Sequence, residues 1–203
     1  MTTDLTEAEI GLIREKIKEK YTGVAATGAG GCFRYPTGID GLRKLGYPED
    51  ILRQFPPAVL ELFCGVGNPF SLGPLYPGES VLDLGCGAGV DTFIAATMVG
   101  PRGRVVGLDV TPEMIAKARA NLALTGLKNV AFDVGEAESL PFPNDSFDAV
   151  ISNGVINLTV DKEKVLQEVH RVLKPGGRLM VADMVLMSAL PEERAGRVEN
   201  WFQ

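Results

Sequence analysis

Histidine is nearly absent. The 203 residues include one, His170, which lies beside Arg171 and off the apolar face of its predicted helix, in solvent. The core therefore has no obvious general base. A soft nucleophile with a free lone pair suits such a chain better than a phenol or an alcohol, which must lose a proton. Cysteine is scarce as well. Three, an odd number in a chain this long, exclude a disulfide framework and suit a reducing, cytoplasmic compartment. Basic residues are outnumbered, 20 Lys and Arg against 26 Asp and Glu. The resulting formal charge of −6 speaks against nucleic acid or an anionic membrane as partner. No apolar run reaches membrane-spanning length. The N-terminus, Met1 to Glu7, has neither the basic region nor the apolar stretch of a signal peptide. No metal site is expected.

What the chain does have is glycine in one telling place. Val81-Leu82-Asp83-Leu84 reads as a buried strand, and Gly85-Cys86-Gly87-Ala88-Gly89 turns it sharply. Val90, Phe93, Ile94 and Met98 then follow at helical spacing. Such a turn is expected to offer free backbone N–H groups and bare backbone to a nucleotide-like ligand. The nicotinamide fingerprint fails here, because its last glycine would fall on Val90. The carboxylate of Asp83 beside the turn repels phosphate and suits an ammonium. A second apolar strand, Val105 to Asp109, ends in an acid placed to bridge both hydroxyls of a ribose. An ammonium, a ribose and no pyrophosphate describe S-adenosylmethionine (SAM). In these features the chain resembles the class I SAM-dependent methyltransferases.

Around that unit the pattern alternates strand and helix, which predicts an α/β, doubly wound Rossmann-like parallel sheet with helices on both faces. The predicted strands are 81–84, 105–109, 130–134, 148–152 and 178–185. The predicted helices between them are 90–99, one that Pro112 opens and Gly126 ends, and 162–173. Lys174-Pro175-Gly176-Gly177 is read as the stop that feeds the fifth strand. Residues 191–202 look helical. Residues 1–70 form an N-terminal segment and 71–203 the SAM-binding core. In the segment, Thr6 to Glu9 is a capping box for a helix ending near Gly23. A Gly-rich stretch, Gly23 to Gly41, is readable as a linker or a lid, and short helices follow near 41–45, 48–54 and 57–63. The resemblance implies a seven-stranded sheet, and no final strand pair is found. The C-terminus is expected to be that of a fragment, the alternative being a homo-oligomer partner over the apolar fifth strand.

The resemblance also assigns roles. Asp83 faces the methionine end of SAM, and Gly85, Cys86, Gly87 and Gly89 form the turn beside it, with Cys86 small and packed. Asp109 holds the ribose. Val110 and Met114 wall the adenine slot, and Glu136 and Ala137 stand near its amino group. Asn153, in Ser152-Asn153-Gly154-Val155-Ile156-Asn157-Leu158, faces the cofactor and the transferred methyl.

That last run, with Arg171-Val-Leu-Lys-Pro-Gly-Gly177, Asp91, Gly100-Pro101-Arg102-Gly103 and Asp109-Val110-Thr111, is similar to the arsenite methyltransferases. The similarity runs from about Cys64 to the end. It implies a methyltransferase acting on trivalent arsenic held by thiols, the acceptor being an arsenical or another small molecule. The chain departs from the family at two positions. Gly154 stands where the family has a cysteine. In Cys64-Gly65-Val66-Gly67, either Val66 replaces the family's thiol or Cys64 supplies it from nearby. Cys32 corresponds to the N-terminal cysteine region, and a further family cysteine would lie just past Gln203. Cys64 and Cys32 are thus the candidate acceptor ligands. An organic metabolite, or a SAM-binding module whose acceptor site has decayed, are the competing readings.

Overall fold

The structure is a computed structural model that describes residues 5–185. The stretch 191–202, expected to be helical, lies outside them.

Helix α1 (Glu7–Thr27) starts as the capping box requires. The Glu9 N–H donates to Thr6 Oγ1 at 3.3 Å, and the Thr6 N–H donates to Glu9 Oε2 at 2.8 Å. It does not stop at Gly23. A glycine inside a helix costs only about 1 kcal/mol. Val24, one residue on, is buried with Ala29, Ala88 and Met114, which outweighs that cost. Gly28, at φ 89°, ends the helix instead. Of the Gly-rich stretch, 23–27 is therefore helix, and α2 (Gly38–Lys44) begins before Gly41. Two single turns follow, α3 (Glu49–Leu52) and α4 (Pro57–Leu60), each shorter than expected.

The core alternates as anticipated: β1 (Ser80–Leu84), α5 (Val90–Val99), β2 (Arg104–Asp109), α6 (Pro112–Thr125), β3 (Val130–Val134), β4 (Phe147–Asn153), α7 (Lys162–Val172) and β5 (Leu173–Ala182). The strands pair in parallel in the order β3-β2-β1-β4-β5. β5 nominally begins at Leu173, yet its pairing with β4 skips from Leu173 to Arg178. Lys174-Pro175-Gly176-Gly177 bulges out between them, since proline cannot donate to the ladder and Gly176 sits at φ 78°. Regular pairing thus starts at Arg178 and ends at Ala182, three residues short of expectation.

α5 is apolar nearly all round because both its sides are covered. The sheet lies on one. On the other, Leu42, Leu52, Phe55, Val59 and Phe63 of the N-terminal segment join Phe93 and Ile94 in one cluster. The segment 1–70 thus shares its core with the sheet. Among the described residues β5 is an edge strand; its Met180 is buried with Leu75 and Val81, and the 3-10 turn Pro69–Leu72 packs against it.

Candidate active site

The strand order reverses at β1: β2 and β3 extend the sheet one way, β4 and β5 the other. In an open parallel sheet the loops leaving two such strands diverge and open a crevice at their carboxyl ends. A cleft of about 990 Å³ occupies this place. Gly85 and Gly87 after β1, Asp109 and Val110 after β2, Gly135 to Glu138 after β3 and Asn153 to Val155 after β4 all line it. α1 closes one side with Arg14, Ile17, Lys18 and Tyr21. A smaller chamber of about 370 Å³ lies alongside, lined by Asp83, Asp91, Cys86, Ala88 and Leu62 among others. Cys64, Gly85, Gly87 and Asn153 line both, so the two adjoin.

The glycine turn works differently from the sequence expectation. Four of its five N–H groups are taken up by the protein itself. Those of Gly85 and Cys86 donate to Leu108 O at 2.8 and 3.0 Å, that of Gly89 to Cys86 O at 2.9 Å, and that of Gly87 to Asp109 Oδ2 at 2.9 Å. The turn offers the cleft bare backbone, not an anion nest. Gly85 is needed for shape: its φ is 73°, and a Cβ there would strike Val155.

Asp109 is half-buried at the cleft wall. Thr111 N–H donates to its other oxygen, Oδ1, at 2.8 Å, so both oxygens are fixed and each keeps a lone pair for a ligand. Burial raises its pKa, opposed by the N–H donors of Thr111 and Gly87. Thr111 lines the same wall, and its buried hydroxyl lies close enough to Asp109 to lower that pKa as well. At the inner end Asp83 accepts from Thr92 Oγ1 at 2.5 Å. Burial raises the pKa of Asp83, and the neighbouring Asp91 raises it further. None of the residues lining this inner chamber is basic. An anionic pocket suits an ammonium and rejects phosphate.

Several expected site residues stand elsewhere. Met114 is buried in the cluster under α1 with Val24 and Ala88, not on the adenine wall, because its position on α6 faces α1. Gly89 lines neither cavity; it is fixed by packing, since a Cβ would come within 2.8 Å of Phe93 and 2.9 Å of Phe132. Cys86 is buried against that same core and reaches only the inner chamber. Cys32 is exposed and lines neither cavity. Cys64 faces both, and burial pushes its thiol up to about 12, with Asp109 and Asp91 contributing. Val66 lines neither cavity, but it meets Gly154: a Cβ on Gly154 would lie 3.2 Å from Val66 Cγ1. The Asn153 side chain is fully engaged. Its Oδ1 accepts from Val66 and Gly67 N–H at 2.8 and 3.1 Å, and its Nδ2 donates to Gly67 O and Asp91 Oδ2, each at 2.9 Å. No hydrogen-bonding capacity remains on it for substrate.

Tyr47 and Tyr21 carried no sequence signal. Asp91 carried one: an acid inside the otherwise apolar Val90–Val99 helix, at a position the fold buries.

Fold and crevice together define a class I methyltransferase domain: a parallel sheet reversing at β1, a glycine turn, and a carboxylate ending the next strand. A family profile for the methyltransferase domain matches residues 75–203. The arsenite methyltransferase of Halobacterium salinarum is 42% identical over 193 residues, covering 89% of this chain and 49% of that protein. The ubiquinone/menaquinone biosynthesis C-methyltransferase UbiE of an Enterobacter species is 46% identical over 108 residues, 52% of this chain and 43% of that one. The crystal structure of CrArsM, an arsenic(III) SAM methyltransferase from Chlamydomonas reinhardtii, superposes with a TM-score of 0.64 at 40% identity, covering 72% of this chain and 52% of that one. The chain belongs to the methyltransferase domain family, a class whose cosubstrate is SAM. It spans about half the length of the curated arsenite methyltransferases it matches. No helix among the described residues is long and apolar enough to cross a membrane.

Proposed function

We propose that this chain binds SAM across the two cavities and directs its methyl group to trivalent arsenic held by thiols. The observation that carries the reading is Cys64, which lines both the outer cleft and the anionic chamber. The cleft fits the cosubstrate on its own terms. Val110, Glu136 and Ala137 line a slot for a flat base, Asp109 and Thr111 lie beside it, and Asp83 with Asp91 waits at the far end for an ammonium.

When bound, SAM supplies a methyl group on a positively charged sulfur, an electrophile whose leaving group needs little acid assistance. The residues of this chain orient and hold. Asp109 fixes the sugar against the sheet, and the Asp83–Asp91 pair sets the depth of the methionine end. The Cys64 thiol stays protonated until arsenic binds: the As–S bond forms as an As–OH or As–S bond to a departing hydroxide or carrier thiolate breaks, and the thiol proton leaves with that ligand as water or free thiol. A Cys64-bound arsenic keeps a lone pair, and holding it in line with the methyl is a proximity effect. No base is required, which fits an exposed His170 at the far end of α7.

A second reading, an organic acceptor methylated at carbon, sulfur or nitrogen, is favoured by the Val66–Gly154 contact. The two places where the resemblance puts thiols here form an apolar patch. An assay with SAM, arsenite and a thiol reductant separates the two. Methylarsenic product by mass spectrometry, lost in Cys64→Ser, is expected. SAM binding without any methylarsenic would move the assignment to the organic acceptor.

A further inference from the structure

The loop that carries Cys64 is held by a buried polar network; the mechanism above uses its Asp91 and leaves Tyr47 and the contacts of Asn153 unexplained. Asn153, at the end of β4, grips both the N–H and the carbonyl of Gly67 and the N–H of Val66. Its amide also meets Asp91 of α5 at 2.9 Å. Tyr47, between α2 and α3, donates its hydroxyl to Asp91 Oδ1 at 2.8 Å and lies 3.2 Å from both Gly67 O and Asn153 Nδ2. Three separate elements thus converge on one loop. Gly65 has to be glycine for this, because a Cβ would strike the Asn153 amide, and Gly67 because a Cβ would come within 2.6 Å of Ala182.

Packing alone does not explain the tyrosine. Its ring is buried, with Phe63 and Phe70 edge-on at 5.4 and 6.0 Å, and phenylalanine would fill that place without bringing a polar group inside. A buried carboxylate and a buried phenol are costly unless each is bonded, and here each is. Such an arrangement fixes one loop position at the expense of stability.

We infer that Tyr47 and Asp91, acting through Asn153, are positioning residues that hold the Cys64–Gly67 loop at one distance from the cleft and thereby set the rate of methyl transfer. This rests on the reading of Cys64 as the acceptor thiol, so the test includes measurements that do not depend on it. In Tyr47→Phe the ring stays and only the hydroxyl goes.

Expected are about tenfold faster hydrogen exchange at the Val66 and Gly67 amides and about tenfold faster alkylation of Cys64 by iodoacetamide, mapped by peptide mass spectrometry, with β1 and β4 amides unchanged. The affinity for SAM should fall less than kcat for arsenite, which drops about tenfold. Asn153→Ala should reproduce the exchange and alkylation changes if Tyr47→Phe fails to fold. Unchanged loop exchange and Cys64 alkylation would overturn the inference. So would acceleration spread evenly over the sheet, which would mark the hydroxyl as merely stabilising. Altered loop exchange without methylarsenic from the wild type would instead overturn the acceptor reading and leave the loop device standing.

Discussion

Asp109→Ala is expected to lower the affinity for SAM by two to three orders of magnitude, on the basis of about 1.5–3 kcal/mol for each hydrogen bond to a charged group. The expectation follows from geometry. The carboxylate ends β2 at the cleft wall, and the N–H groups of Gly87 and Thr111 hold one oxygen each, leaving acceptor capacity on both for a ligand. Adjacent hydroxyls of a ribose match that spacing. Alanine removes both acceptors and also frees the Gly87 N–H, so the glycine turn loosens with it. Competition by S-adenosylhomocysteine in a thermal-shift titration would measure the loss. Circular dichroism would show the fold intact, since the sheet order does not depend on this side chain. An affinity within a few-fold of wild type would displace the ribose from β2.

Asp83→Asn is expected to act in opposite directions on stability and on binding. Asp83 is buried beneath the turn, and burial with the neighbouring Asp91 lifts its pKa above the ordinary value of 3.8. Between that ordinary value and the raised one, the folded protein holds a proton that the unfolded chain has lost. Stability therefore falls as pH rises through this window, the reverse of the usual salt-bridged carboxylate. Asparagine titrates nothing, and its amide oxygen still accepts from Thr92. The variant should melt higher than wild type at neutral and alkaline pH, and the difference should shrink in acid. Affinity for SAM at neutral pH should drop about tenfold, because asparagine has no proton to release and so cannot become a carboxylate when the ammonium arrives. A variant less stable than wild type at every pH would mean that the charge is compensated inside the fold and not kept for a ligand.

The fold was largely legible because its signals are local. Pro112 opens α6 and Gly126 closes it; the helix and strand periodicities of α5 and β3 put their limits where the structure has them. The failures share a cause. Gly23 looked like a stop, but Val24 finds a buried site that only the folded α6 provides. Met114 looked like part of the adenine wall, but the direction of its side chain is set by α1, far away in sequence. The site divides the same way. Asp83, Gly85 and Asp109 belong to a motif contiguous with the strands that position it. Tyr47, Asp91 and Asn153 come together across 106 residues, and no spacing rule announces such a network. Asn153 was expected to face the cofactor and the methyl group; it lines both cavities, but its side chain turns to the Val66–Gly67 loop.

Isothermal titration calorimetry of the purified chain with SAM, and in parallel with NAD and ATP, tests the central claim most directly. The account predicts saturable binding of one SAM per chain, displaced by S-adenosylhomocysteine, and no heat from either phosphate-bearing ligand, because the inner chamber is anionic and four of the five amides of the glycine turn are already bonded. A folded chain that binds NAD or ATP and ignores SAM would contradict it.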